Sequence, residues 1–105
     1  MDTICCMKAE IFKALGHPIR LRIVELVADG EKTVTELVEA MGAEPSNTSR
    51  HLAVLKRAGI VSDRKEGLNV YYRLELPCVA QFFTCVTDAV REKLQKSESL
   101  LKELV

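Results

Sequence analysis

The stretch that decides the fold is Ser46-Asn47-Thr48-Ser49-Arg50-His51-Leu52-Ala53-Val54-Leu55-Lys56-Arg57-Ala58-Gly59-Ile60-Val61. It is typical of a helix with a polar front, followed by a glycine that ends the helix and by the start of a strand. Leu52 and Leu55 are expected on the inner side of the helix. The first turns carry short Ser, Asn and Thr side chains and an arginine, which can reach base edges or phosphates of a duplex. The stretch therefore predicts a helix that binds nucleic acid.

Three further helices are predicted before the helix of this stretch, which makes four in all. Helical spacing of apolar residues and local end signals predict helices over residues 4–15, 18–28, 33–42 and 45–58. Pro18 is suited to the first turn of the second helix, where its missing N–H costs nothing. Thr33 is an N-cap candidate for the third helix, with Glu36 as its capping-box partner, and Gly42 ends that helix. The N-terminal half is therefore predicted to be all helical.

The third and fourth helices have the dimensions of a helix-turn-helix, in which the second helix enters the major groove. Strand-like segments at 60–65 and 69–75 predict a β-hairpin, which would lie against the DNA backbone as a wing. The candidate DNA contacts are Ser46, Asn47, Thr48, Ser49, Arg50 and His51 on the helix and Arg64 and Lys65 on the wing. A plainer interpretation stays open, in which the polar residues cap the helix and the basic ones form a solvated face.

His51 and the charge distribution bear on this interpretation. His51 has no second His, Asp or Glu three or four residues on, so we expect it to face the groove or to pack rather than to bind a metal. The formal net charge is zero, but residues 46–73 carry six Lys and Arg against two acids, leaving nine against thirteen elsewhere. Such an asymmetry attracts phosphates to one face and repels them from the others.

A last helix is predicted from near residue 77 towards the C-terminus. Its apolar seam consists of Val79, Phe83, Val86, Val90, Leu94, Leu101 and Leu104. So small a domain offers little surface to cover this seam or the apolar side of the first helix, and a second copy is the simplest partner. We expect a homodimer formed through the first and last helices, with residues 1–105 as a single domain. The apolar runs are far too short to cross a bilayer, and the expected location is the cytoplasm.

Three blocks of the sequence resemble the ArsR/SmtB family of winged-helix repressors. They are Ala14-Leu15-Gly16-His17-Pro18-Ile19-Arg20-Leu21-Arg22-Ile23-Val24, then Ser49-Arg50-His51-Leu52 through Gly59-Ile60-Val61, and finally Val70-Tyr71-Tyr72-Arg73-Leu74. The resemblance covers roughly residues 9 to 90. It implies a mainly α winged helix-turn-helix with five helices and a two-stranded wing before the last helix. It also implies a cytosolic homodimer that binds a palindromic operator in double-stranded DNA and leaves it when an inducer binds.

The inducer must be read from the ligands that this chain carries. The Cys-x-Cys motif on the third helix and the carboxylate and histidine set on the last helix, which bind metals in some relatives, are both missing. The soft ligands are Cys5 and Cys6 at the start of the first helix and Cys78 and Cys85 on the last. Cys78 and Cys85 are two turns apart, about 10.5 Å between Cα atoms, too far for one small ion to join them alone.

A thiolate site must therefore include Cys5 or Cys6, and the family's dimer geometry implies that it can cross between subunits. Three thiolates suit As(III) or Sb(III), and a fourth would suit Cd(II), Pb(II) or Zn(II). Oxidation or a sulfur bridge between the two helices is an alternative inducing event. The cysteines can also be small buried hydrophobes without a sensory role.

The sequence leaves two classes of function open and disfavours a third. The first is a DNA-binding repressor, and the second is a winged-helix module that binds another protein. An enzyme is not expected, because no nucleophile–base pair, glycine-rich phosphate loop or catalytic metal set can be assembled from these residues. No organic cofactor is expected either.

Overall fold

The computed structural model describes residues 2–104 as five helices and three short strands. In chain order they are α1 (Thr3–Leu15), α2 (Pro18–Ala28), β1 (Lys32–Thr33), α3 (Val34–Met41), α4 (Pro45–Arg57), β2 (Val61–Glu66), β3 (Asn69–Leu74) and α5 (Cys78–Leu104). The five helices and the hairpin are confirmed at nearly the predicted boundaries. The fold is mainly helical with a small antiparallel sheet.

The strand β1 was not predicted from the sequence. Its two residues pair antiparallel with β3, Lys32 opposite Tyr72 and Thr33 opposite Tyr71, so the sheet has the order β1-β3-β2. A two-residue strand carries no periodicity of its own, and its pairing depends on the chain bringing β3 alongside. Through this pairing, β1 joins the segment before α3 to the β2–β3 hairpin.

Local capping explains where the helices begin and end. The predicted capping box of α3 is present: the Thr33 side chain accepts from the backbone N–H of Glu36, and the Glu36 carboxylate accepts from that of Thr33. At the start of α2, Nδ1 of His17 accepts from the backbone N–H of Ile19 at 3.1 Å. Gly42 ends α3 with φ of 66°, a left-handed conformation that glycine adopts without steric cost. The sharp turn that it allows leads directly into α4.

A hydrophobic core joins the helices to the sheet. Its buried residues are Ala14, Leu15, Ile23, Val24, Val27, Leu37, Leu52, Leu55, Ile60, Val61 and Val79. The inner side expected for α4 is confirmed by the burial of Leu52 and Leu55, and α2 packs against it with Ile23 and Val27. Because α4 contributes to the centre of this core, its outer face is held in a fixed orientation.

The helix α5 leaves the body of the fold after its first turns. It has 27 residues and therefore extends for about 40 Å. Val79 is its one buried residue among those described, and the exposed apolar side chains beyond it are Phe82, Val86, Val90, Leu94, Leu100, Leu101 and Leu104. Of the predicted seam, Val79 is buried and Phe83 is half-buried against the core, and the part from Val86 onwards lies uncovered in a single chain. Within residues 2–104, no helix is long and apolar enough to span a bilayer.

Candidate nucleic-acid interface

The orientation of α4 is fixed from its inner side. Thr48, Leu52 and Leu55 are fully buried, and they follow one another at spacings of four and three residues along one helix face. The opposite face, at the same periodicity, therefore points to solvent. Pro45 is the first residue of α4 and has no N–H to satisfy at the helix start.

Most of the predicted contacts in the first turns of α4 lie on this solvent-facing side. Ser46, Ser49 and Arg50 are exposed, and Asn47 is half-buried. Nη2 of Arg50 donates to Oδ1 of Asn47 at 2.8 Å, so the guanidinium is held beside the first turn by a neutral partner. The result is a compact group of donors and acceptors of the kind that reads base edges or phosphates.

Thr48 was included among the predicted contacts, and its position requires a correction. Its side chain is fully buried, and its hydroxyl donates to the backbone carbonyl of Glu44 at 3.1 Å. A DNA contact would need the hydroxyl on the other side of the helix. Thr48 therefore anchors α4 to the core, and we remove it from the set of candidate DNA contacts.

His51 is turned towards α2, so the packing alternative is favoured over the groove-facing one. Its ring lies against that of His17, with centroids 4.3 Å apart, and its Nδ1 accepts from Nη1 of Arg20 at 3.2 Å. Partial burial lowers the pKa of His51, and the nearby His17, Arg20 and Arg50 lower it further. Both findings make the neutral ring the preferred form. The His17 contact could not be predicted from local sequence patterns because the two residues are 34 positions apart.

Arg57 belongs to the exposed face of α4 and was missed by the sequence reasoning. It follows Arg50 by seven residues, or two helical turns, and both side chains are exposed. The seven-residue spacing can be read from the sequence, but Arg57 lies outside the polar first turns from which the candidate contacts were chosen. The candidate interface therefore extends for two turns beyond Arg50.

The wing carries its charges in a partly neutralised form. Arg64, a predicted phosphate contact, pairs with Glu31 at 2.7 Å and with Glu66, and its guanidinium lies over the ring of Tyr71. The hydrogen bond from Arg64 lowers the pKa of Glu31, and the pairing with Glu31 and then Glu66 raises that of Arg64. A phosphate would therefore compete with these two carboxylates for the charge of Arg64. Lys65, the other predicted wing contact, is exposed.

Ion pairing also reduces the other charges in residues 46–73. Lys56 pairs with Asp63 at 3.0 Å, and Arg73 pairs with Glu75 at 2.9 Å. Within residues 2–104, the cations of this region that have no acidic partner are Arg50, Arg57 and Lys65. Half of the six basic residues counted from the sequence are thus immediately available to phosphates.

The four predicted thiol ligands lie on two helices and are all exposed in the single chain. Cys5 and Cys6 lie in the first turn of α1, and Cys78 and Cys85 lie on α5. The prediction that they can be buried hydrophobes is wrong for the isolated chain. Among residues 2–104 of one chain, no three His, Cys, Asp or Glu residues are grouped so that they could hold a metal ion. A three-thiolate site therefore cannot be completed within one subunit in this conformation.

Comparisons with known proteins agree with this architecture. Residues 17–63 match the model of the bacterial regulatory proteins of the arsR family. The chain is 36% identical over 99 residues to the HTH-type transcriptional regulator Rv0081 of Mycobacterium tuberculosis, covering 93% of this chain and 87% of that protein. The crystal structure of Rv0081 superposes with a TM-score of 0.77 at 35% identity, covering 92% of this chain and 98% of the other.

Two more relatives are informative. The arsenic resistance transcriptional regulator ArsR1 of Pseudomonas putida is 40% identical over 99 residues, covering 90% of this chain and 77% of the regulator. The solution structure of a homodimeric winged helix-turn-helix DNA-binding domain from Mycobacterium bovis has a TM-score of 0.76 at 34% identity. It covers 89% of this chain and 86% of that domain. The wing and helix-turn-helix described above are therefore those of a known class of DNA-binding domain.

Proposed function

Because the chain belongs to the arsR family of bacterial transcriptional regulators, we propose that it is a repressor that binds a palindromic operator as a homodimer and is released by an inducer. One observation carries the DNA-binding part of this proposal. Buried Thr48, Leu52 and Leu55 hold α4 so that Ser46, Ser49 and Arg50 project from the opposite face. Members of the family are DNA-binding regulators and not enzymes.

The proposed homodimer rests on the apolar faces of α1 and α5. Ile4, Met7 and Phe12 of α1 are each at least 60% exposed, and the seam of α5 is exposed along most of its length. Phe12 also contacts Phe82 with ring centroids 6.0 Å apart, which joins the two faces into one surface. Burial of this surface against a second copy would remove it from water, and the M. bovis domain of similar structure is homodimeric.

We further propose that soft metals or metalloids act as inducers by binding cysteine thiolates across the dimer. The candidates are As(III), Sb(III), Cd(II) and Pb(II), which favour sulfur ligands. Cys5, Cys6, Cys78 and Cys85 lie on the two helices proposed to form the dimer, and residues 2–104 of one chain hold no group of three possible metal ligands. The similarity to a regulator named for arsenic resistance supports this chemistry. Ligand binding at the dimer surface would change the separation of the two α4 helices and so their fit to neighbouring half-sites.

A thiol-redox or reactive-sulfur sensor is the second candidate for the inducing event. It is supported by the presence of two cysteines on each of α1 and α5, because thiols on two neighbouring helices can be oxidised or bridged by sulfur. A sulfur bridge between α1 and α5 would alter the same surface without a metal. A winged-helix module that binds a protein partner is the remaining alternative, and the salt dependence of DNA binding separates it from a repressor.

Fluorescence anisotropy with a labelled duplex from the region upstream of the gene tests these proposals. The reduced wild-type dimer should bind with a steep salt dependence and should lose at least about tenfold in affinity when the inducing ion is added. As(III), Sb(III), Cd(II) and Pb(II) are titrated separately, and hydrogen peroxide and a persulfide donor form the redox arm. Release by the oxidants alone, reversed by a thiol reductant, would favour the redox alternative.

Single Cys→Ser variants at positions 5, 6, 78 and 85 identify the thiols that respond. We expect Cys5→Ser or Cys6→Ser, and Cys78→Ser or Cys85→Ser, to bind DNA like the wild type and to resist release. The matched control is Ser97→Ala, an exposed substitution on α5 that leaves all four thiols in place. If every cysteine variant is released like the wild type, the cysteines have no sensory role.

A further inference from the structure

A cleft of about 490 Å³ lies where α1, α2 and α4 meet. Three cations from three helices line it, Lys13 of α1, Arg20 of α2 and Arg57 of α4, together with one acid, Glu10. Val54 contributes to its apolar part. The volume is in the range of about 300–1,000 Å³ that is usual for small-ligand sites. The cleft is separate from the cysteines and from the first turns of α4.

The cations of this cleft lack counterions. Within residues 2–104, none of Lys13, Arg20 and Arg57 forms an ion pair with a carboxylate. The guanidinium of Arg20 donates only to neutral groups: the backbone carbonyls of Lys13 and Ala14 and the Nδ1 of His51. A guanidinium has five N–H groups, and three such bonds leave two free. A half-buried positive charge with free donors and no carboxylate favours an anion nearby.

The electrostatic surroundings point in the same direction. The pKa of His51 is lowered first by burial and then by its neighbours His17, Arg20 and Arg50, of which the two arginines carry a fixed positive charge. The helix end at α1, which supplies two carbonyls to Arg20, stabilises the cation without neutralising it. The described residues that line the cleft therefore carry an excess of positive charge, three cations against the single carboxylate of Glu10.

We propose that this cleft binds a phosphate group through Lys13, Arg20 and Arg57. Guanidinium forks and an ammonium group match the geometry and charge of a phosphate oxyanion. The phosphate can come from the DNA backbone, since Arg57 shares its helix face with Arg50, or from a small phosphate in solution. The first source rests on the proposed function, whereas the second does not. In either case the bound group connects α1, which carries the dimer surface, with α4.

A titration with inorganic phosphate tests the free source on the wild-type dimer. Two-dimensional ¹⁵N–¹H spectra are recorded at constant ionic strength, with chloride replacing phosphate. We expect saturable shifts of the amides of Lys13, Val54 and Ala58. Lys13→Gln should weaken this binding roughly tenfold, because it removes one charge-assisted hydrogen bond. Lys8→Gln, which removes the same charge from the same helix outside the cleft, is the matched control.

The salt dependence of duplex binding tests the backbone source with the same pair of variants. Lys13→Gln should make the slope of log Kobs against log[salt] shallower by at most about 0.9 per subunit, because Arg20 and Arg57 still contact the same phosphate, and Lys8→Gln should leave the slope unchanged. Thermal melting of both variants checks that each is folded. Phosphate shifts weakened by Lys13→Gln support the free source, and a specific change of slope without them supports the DNA backbone.

Equal behaviour of Lys13→Gln and Lys8→Gln in both measurements overturns the proposal. A folded wild-type dimer that binds no duplex would instead overturn the proposed repressor function. The phosphate titration would then still test whether the cleft binds phosphate. The failure of the cleft proposal and the failure of the repressor function are therefore distinguishable.

Discussion

The salt dependence of operator binding measures how many cations neutralise phosphates, and the ion pairs of this structure predict its value. Each phosphate contact contributes about 0.9 to the slope of log Kobs against log[salt]. Arg50, Arg57 and Lys65 have no acidic partner within residues 2–104, whereas the other three cations of residues 46–73 are paired. Three cations per chain, and so six per dimer, give a slope of about −5 if each neutralises one phosphate.

Arg50→Ala is the decisive perturbation. It removes one unpaired cation from each subunit and should make the slope shallower by about 1.8 for the dimer. Arg73→Ala is the matched control, since the charge of Arg73 is already balanced by Glu75 and its loss should leave the slope nearly unchanged. Fluorescence anisotropy between about 50 and 300 mM KCl provides the range that the slope requires.

Three results would refute this reasoning. A wild-type slope near −11 would mean that all six cations of residues 46–73 contact phosphates in each subunit, and that the ion pairs of Lys56, Arg64 and Arg73 open on DNA. An Arg50→Ala slope equal to that of the wild type would remove Arg50 from the interface. A slope near zero for the wild type would contradict DNA binding itself.

Three further predictions concern the framework of the interface. Thr48→Val should change the free energy of unfolding by about 1 kcal/mol or less, because the Glu44 carbonyl still accepts a hydrogen bond from the backbone N–H of residue 48. The variant should also leave the salt slope of DNA binding unchanged. A loss of DNA affinity at unchanged urea stability would restore Thr48 as a DNA contact. Val90→Glu should halve the mass measured by light scattering, because it places a charge in the exposed seam of α5, while Gln81→Glu on the opposite face of that helix should stay dimeric. The pKa of His51 in the folded protein lies below its unfolded value of 6.5, so the unfolded chain binds the proton first as the pH falls. The contribution of neutral His51 to the free energy of unfolding is therefore complete above pH 6.5. It is lost as the pH falls through the lowered pKa. Urea midpoints of the wild type should therefore fall as the pH is lowered below 6.5, and the same fall in His51→Gln would exclude this residue as the cause.

Some of the differences between prediction and structure were readable in the sequence. Thr48 precedes Leu52 by four residues and Leu55 by seven, so helical periodicity alone places it on their buried face. The same periodicity places Arg57 beside Arg50. Polarity alone does not separate the two sides of the start of α4, whereas the spacing from Leu52 and Leu55 does.

By itself, the sequence determined the helices, the cap at the start of α3 and the buried side of α4, because these depend on interactions between residues only three or four positions apart. The capping box of Thr33 and Glu36 and the buried Leu52 and Leu55 are of this kind. Only the tertiary structure decided that Arg64 is neutralised by Glu31, that His17 lies against His51, and that cations of three helices line one cleft. These contacts join residues distant in the chain, and they form only when packing of the apolar faces sets the relative positions of the helices and the sheet.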